Sequence, residues 1–321
     1  MAKTEAPYRC DECGWTTLKW VGRCGECQTW GTVVESAQPT TSSKQAKAVA
    51  PDALRLARPI TELDGTSSGH QPSGVGEFDR VLGGGIVPGA VILLSGEPGV
   101  GKSTLLLDVA SRVAAGGKRV LYVSAEESAG QVYLRASRTN GLHENLLLAN
   151  DTDLGSVLGQ IDHVKPELLI VDSVQTVSSG LLDGAPGGVA QVREVAATLI
   201  RVAKETMLPI IMVGHVTKDG QVAGPRTLEH LVDVVCQFDG DPHTSLRFVR
   251  TLKNRFGPTD EVGCFDMSGE GIIEIPDPSE LFRSGTREPV SGTCTTMAME
   301  GKRALPVEIQ ALVIPSSAPQ P

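Results

Sequence analysis

A chain of 321 residues, 40% apolar and 21% charged, can bury one large α/β core plus small appendages. Its net charge of -9 argues against wholesale electrostatic coating of nucleic acid, although a local basic patch stays possible, and aromatics at 4% make stacking on many rings an unpromising binding mode. No apolar run approaches the roughly 18 residues that span a bilayer, and no cationic head followed by an apolar stretch opens the chain. The expected setting is cytoplasmic, with no membrane partner.

Residues 1–35 read as a compact unit. Cys10 and Cys13 form one C-x-x-C pair and Cys24 and Cys27 a second, with all three tryptophans, Trp15, Trp20 and Trp30, around them. So short a segment cannot fold on apolar burial alone, and a tetrahedral Zn²⁺ on four thiolates supplies what is missing. A redox-active C-x-x-C needs only one pair and a thioredoxin-like context, so zinc is the preferred reading. Residues 36–58 are polar and unpatterned, as a flexible linker is. The stretch 1–58 has a net charge of +2, against the acidic whole.

From residue 59 to about 283, strands and helices alternate, which predicts a mostly parallel, doubly wound sheet. Strands are expected at Val91–Ser95, Arg119–Ser124, Glu167–Asp172 and Leu208–Val216. A helix is expected over Leu105–Ala115, and another over about Val189–Met207 with apolar positions at helical spacing. After Leu228 the pattern turns β-rich, with strands at Ser245–Leu252 and Gly263–Ile275. Residues 284–321 open a further β-like unit, Thr293–Met299 and Val307–Ile314, too small for a core of its own.

The most informative segment joins the first of these strands to the first helix. Gly96-Glu97-Pro98-Gly99-Val100-Gly101-Lys102-Ser103, with Thr104 following, is G-x-x-x-x-G-K-S between a strand and a helix. In that context the loop N–H groups and the helix N-terminus wrap a phosphate, Lys102 reaches the β- and γ-phosphates, and Ser103 ligates Mg²⁺. ATP and Mg²⁺ are therefore expected cofactors, with Zn²⁺ on the ribbon. Asp172, at the end of a core strand, is placed to hold Mg²⁺ through water. Glu126 and Glu127 follow the second strand, and either could orient the attacking water while the other caps a helix. His215 ends the fourth strand, either as a γ-phosphate sensor or as a satisfied core histidine. Lys253-Asn254-Arg255-Phe256-Gly257 puts two cations on one face if extended, within a span 241–258 of net charge +3. It reads as a cationic finger for a phosphate or as a solvated surface strand.

Together these residues resemble the bacterial RadA (Sms) DNA-repair family, a branch of the RecA-like ATPases. The resemblance rests on the four-cysteine ribbon with Trp20-Val21-Gly22-Arg23-Cys24, on Gly76–Gly89 leading into the P-loop, and on K-N-R-F-G at 253–257. It implies a DNA-stimulated ATPase that assembles as a hexameric ring and acts with a RecA-type recombinase in repair after DNA damage. The implied work is branch migration or helicase-like translocation on single-stranded or branched DNA. By motif matching it assigns Glu126 as the catalytic glutamate and His215 as the γ-phosphate sensor. It makes Lys253 and Arg255 a finger or a DNA contact. Two loops would face DNA, 174–188 and 217–226, the latter with Lys218 and Arg226. Family members end in a Lon-protease-like domain, of which 284–321 resembles the opening strands, and no peptidase dyad can be assigned. The alternative is a RecA- or KaiC-like oligomeric regulatory ATPase acting on protein partners. A third reading is a zinc-ribbon adaptor using nucleotide only to assemble.

Overall fold

The computed structural model describes residues 8–35, 57, 59–62, 69–215, 227–240, 245–269, 271–277 and 291–313. The chain divides into two compact units, Met1–Leu63 and Asp64–Pro321. Of the expected linker 36–58, only Ala57 is among the described residues.

In the first unit, β1 (Tyr8–Cys10) pairs antiparallel with β2 (Thr16–Thr17) and with β3 (Val33–Glu35). Its apolar centre consists of Cys10, Cys24 and Val33, with Tyr8, Trp15 and Val21 partly buried against them. Two of those three buried residues are thiols, so the centre of this unit is a metal site rather than an apolar core.

The second unit is built on a sheet of nine strands among the described residues. They are β4 (Val91–Gly96), β5 (Val120–Ser124), β6 (Leu146–Asn150), β7 (Leu168–Asp172), β8 (Ile210–His215), β9 (Val234–Gly240), β10 (Leu246–Asn254), β11 (Val262–Ser268) and β12 (Gly271–Glu274). Their order is β12-β11-β10-β9-β4-β8-β7-β5-β6. The strands from β9 to β6 pair in parallel, and β10, β11 and β12 add an antiparallel meander at one edge. Five helices accompany it among the described residues: α1 (Gly76–Leu82), α2 (Lys102–Ala115), α3 (Ala129–Arg138), α4 (Leu154–Val164) and α5 (Val189–Thr206).

The sheet is buried on both faces, and strand alternation divides the core. Ile92 and Leu94 of β4 join α1, α2 and α3 on one side, while Val91 and Leu93 join α4 and α5 on the other. This explains why the parallel strands read as continuous apolar runs. Local signals agree with the helix starts: α3 opens with a full capping box of Ser128 and Gln131, and Asp153 caps α4. The expected 263–275 strand is two strands, β11 and β12, which turn back on each other. β6 and β9 were not expected. β6 sits at the sheet edge with mixed burial, and β9 carries Gln237 and Asp239 among its apolar residues, which breaks the run.

After the sheet, β13 (Thr293–Glu300) and β14 (Arg303–Gln310) form an antiparallel hairpin. The side chain of Arg303, at its turn, is buried and pairs with Glu77 of α1. No helix among the described residues is long and apolar enough to cross a membrane.

Candidate active site

β4 delivers the chain to the P-loop at the carboxyl edge of the sheet, where ligands of open α/β sheets sit. The glycines have separate causes. Gly96 passes so close to β9 that a Cβ there would lie 2.3 Å from the Phe238 carbonyl oxygen. Gly101, the N-cap of α2, has φ 111°, and a Cβ would meet Met267 at 2.0 Å. α2 then begins at Lys102, so its first amides point into the loop.

Lys102 is buried, and its Nζ donates to the carbonyls of Gly96 at 2.9 Å and Glu97 at 2.8 Å. Burial pulls its pKa down, and the charges of Asp172 and Glu126 pull it back up. A cation held inside the loop among carbonyl oxygens, with two carboxylates near enough to act on it, suits a phosphate. Ser103 and Thr104 follow in the first turn of α2. Asp172 ends β7, is buried, and accepts a hydrogen bond from the Tyr122 hydroxyl at 2.7 Å.

The two glutamates after β5 have different surroundings. Glu127 pairs with Arg135 of α3, and its carbonyl accepts from Ser124 and Asn150, so it belongs to the scaffold. Glu126 accepts from the Ser173 hydroxyl and lies 3.1 Å from His215 Nε2. The bond to His215 holds the Glu126 carboxyl below its usual range, with Ser173 adding to the effect against the opposing cost of burial. Gln175 exchanges two hydrogen bonds with the backbone of His215, at 3.1 and 3.2 Å, and so fixes the end of β8. A cavity of about 520 Å³ opens here, lined by Glu126, Thr152, Gln175, Thr176 and His215 among others. Ser173 and Gln175 went unnoticed in the sequence. Both follow Asp172 directly, and that position was the available signal.

Lys253 and Arg255 lie elsewhere. β10 runs antiparallel to β9, so its start is near the P-loop and its end is at the opposite edge of the sheet. Arg255 is eight positions beyond Arg247, about 27 Å of extended chain. Lys253 Nζ donates to the carbonyls of Glu229 and Val232, each at 2.8 Å, and Arg255 Nη1 is 3.0 Å from Asp233 Oδ1. Both cations thus grip the segment 229–233, and neither reaches the P-loop of its own chain. Asn254 and Gly257 shape the turn, with Asn254 donating to the Leu82 carbonyl.

Of the two expected DNA-facing loops, 217–226 with Lys218 and Arg226 lies outside the described residues. The other is largely scaffold at its start: Val174, Val177 and Ser179 are buried, and Gln191 binds Ser179 and Leu182. Its exposed stretch, 180–186, contains Asp183 and no cation.

In the ribbon, the four thiol sulfurs of Cys10, Cys13, Cys24 and Cys27 lie within 4.8 Å of one another. Cys10 and Cys27 sulfurs are 3.7 Å apart, and Cys13 and Cys24 sulfurs 3.5 Å. Tetrahedral Zn–S bonds of about 2.3 Å put sulfurs about 3.8 Å apart, so the set fits Zn²⁺. The Thr32 hydroxyl and nearby backbone amides bring the Cys10 thiol down to about 6, while, against the Trp15 backbone, burial and the neighbouring sulfurs push the Cys13 thiol up to about 11.

A P-loop on a RecA-like sheet, in a chain that also carries a four-cysteine zinc ribbon, defines an ATP- and Mg²⁺-dependent ATPase fold that also binds Zn²⁺. Family models agree: one described as an AAA domain matches residues 57–221, and one described as a rubredoxin metal binding domain matches residues 8–35. Among solved structures, a KaiC-like protein of Pyrococcus horikoshii shares the fold at TM-score 0.54 and 19% identity, over 65% of this chain and all of that one.

The chain is 52% identical over 326 residues to the DNA repair protein RadA of Mycolicibacterium smegmatis, covering 99% of this chain and 70% of that protein. It is 53% identical over 316 residues to RadA of Mycobacterium tuberculosis, with 98% and 65% covered. Against RadA of Bacillus subtilis it is 42% identical over 323 residues, with 100% and 70% covered. The chain belongs to the RadA family of DNA repair proteins, and it spans about two thirds of the length of these relatives.

Proposed function

We propose that this chain is the motor of a DNA-dependent ATPase that processes recombination intermediates, by branch migration or helicase-like translocation on single-stranded or branched DNA. The observation that carries the reading is the contact between Glu126 and His215. It joins the carboxylate best placed to orient water to the last residue of β8, directly before 216–226. DNA held by that segment, through Lys218 and Arg226, would move His215 and so set Glu126.

In this reading the P-loop and Lys102 hold the triphosphate, and Ser103 with Asp172 hold Mg²⁺, which neutralises the β- and γ-phosphates when bound. Glu126 orients the attacking water, and His215 senses the γ-phosphate. The remoteness of Lys253 and Arg255 from their own P-loop supports their acting on a neighbour's nucleotide in a ring of this chain. There they would stabilise transition-state charge in the manner of an arginine finger. The units are then a zinc ribbon (1–35), a linker (36–58), the ATPase (59–283) and a Lon-like β segment (284–321). The molecule works in the cytoplasm beside a RecA-type recombinase.

ATP turnover with and without single-stranded DNA tests the reading. Stimulation by DNA that disappears in His215→Ala while nucleotide binding persists is expected. Turnover indifferent to DNA in the parent chain would sink the proposal.

A further inference from the structure

The residues assigned so far serve only one end of a nucleotide. Glu126, Asp172 and His215 stand at the ends of β5, β7 and β8, all on one side of β4. With the γ-phosphate and metal on that side, the other side of the P-loop, over β9, is left for the ribose and base. A cavity of about 560 Å³ opens there, walled by Gly96–Val100 of the P-loop, Gln237–Gly240 of β9 and Arg247 of β10. Among the described residues its one aromatic lining residue, Phe238, is fully buried and packs edge-on against Phe265. Among the described residues, none lining this cavity offers an exposed ring to a base.

The lining does contain a planar cation. Arg247 Nε donates to the Val100 carbonyl at the tip of the P-loop at 3.2 Å, and Nη1 donates to the Leu246 carbonyl at 2.7 Å. Gly240 faces it across the ladder. A Cβ on Gly240 would come within 2.9 Å of Arg247 Nε and 3.0 Å of Val100 Cγ2. The glycine therefore leaves the bed in which the arginine lies across the loop. Asp239 is already tied to Gln237 at 2.8 Å and to Arg250 at 3.0 Å, so it is not set to read a base edge. Arginine planes stack on aromatic faces, and such stacking tolerates any base.

We propose that Arg247 is the base platform of the nucleotide site, its guanidinium stacking on the purine of a nucleotide held by the same chain's P-loop. The inference rests on the placement of the γ-phosphate beside Glu126 described above.

Binding of ADP and of inorganic pyrophosphate to the full chain, both with Mg²⁺, separates a base contact from a loop brace. Arg247→Ala is expected to weaken ADP about 5- to 150-fold, the range that loss of a stacking side chain gives. Pyrophosphate affinity should stay within about twofold, and GDP should fall with ADP. Arg247→Lys keeps the charge without the plane and should follow Arg247→Ala. Gly240→Ala keeps the arginine, fills its bed and should also weaken ADP. Equal losses for ADP and pyrophosphate would overturn the proposal, leaving Arg247 as a brace for Val100, and so would an unchanged ADP affinity in Arg247→Ala. Lys102→Ala checks the P-loop separately: it should lose both ligands, and retention of both would remove the P-loop reading whatever Arg247 does.

Discussion

The ribbon and the ATPase unit are held together by different physics. The ribbon has three buried apolar residues, two of them metal-binding thiols, and leaves Trp20 and Trp30 64% and 73% exposed. The ATPase sheet is covered on both faces by side chains such as Leu93, Leu94, Ile170 and Leu199, each fully buried. In the ribbon, therefore, the residues that bind the ligand are those that make the fold. In the ATPase unit the fold is made elsewhere, and the site residues can change without unfolding it.

Metal removal should have the largest effect. Structural zinc contributes about 10–16 kcal/mol to small domains of this kind. Chelation, or serine in place of any of Cys10, Cys13, Cys24 or Cys27, should abolish the ribbon's fold while the calorimetric transition of the ATPase unit persists. Metal analysis should give one Zn²⁺ per chain, and a ribbon that stays folded without metal would break the contrast.

Next comes the finger. Arg255→Ala and Lys253→Ala should cost about 10³–10⁵ in DNA-stimulated turnover if they serve a neighbour's nucleotide. Asp233 keeps Lys204 and the Val91 amide as partners, so the melting temperature should barely move in Arg255→Ala. Mixing either variant with Lys102→Ala subunits should restore some turnover. Mixed assemblies that form and stay inactive would turn the cluster into a DNA-phosphate contact.

Glu126→Gln should lower turnover about 10²–10⁴-fold with ATP binding kept. Retained turnover would move the role elsewhere. Leu94→Ala is the converse experiment, a core truncation that costs about 2–5 kcal/mol of stability in chemical denaturation. If it reduced turnover at saturating ATP more than it reduced stability, site and fold would not be separable.

The smallest effect is on pH. Glu126 titrates below its usual range because His215 and Ser173 stabilise the carboxylate. A depressed acid contributes stability above its unfolded pKa and loses it as pH falls through the folded one. His215→Gln should therefore shift the acid limb of the turnover profile to higher pH, and an unmoved limb would show that the contact does not govern Glu126.

The sequence by itself determined what depends on local chain order. Paired C-x-x-C knuckles define a metal site through spacing alone, and the P-loop is legible because a strand, a glycine loop and a helix must follow one another. The parallel strands β4, β5, β7 and β8 read correctly because both their faces are apolar. Tertiary structure decided whatever depends on which strands are neighbours. Glu126 and Glu127 are equivalent as neighbours in sequence. They become distinct only because β8 brings His215 to one of them and α3 brings Arg135 to the other. Arg247 lies at the start of β10 and Arg255 directly follows its end, yet antiparallel pairing sends one to the P-loop and the other to the far edge of the sheet. No local pattern contains that information, because strand order is set by long-range packing of faces that, within the core, are all equally apolar.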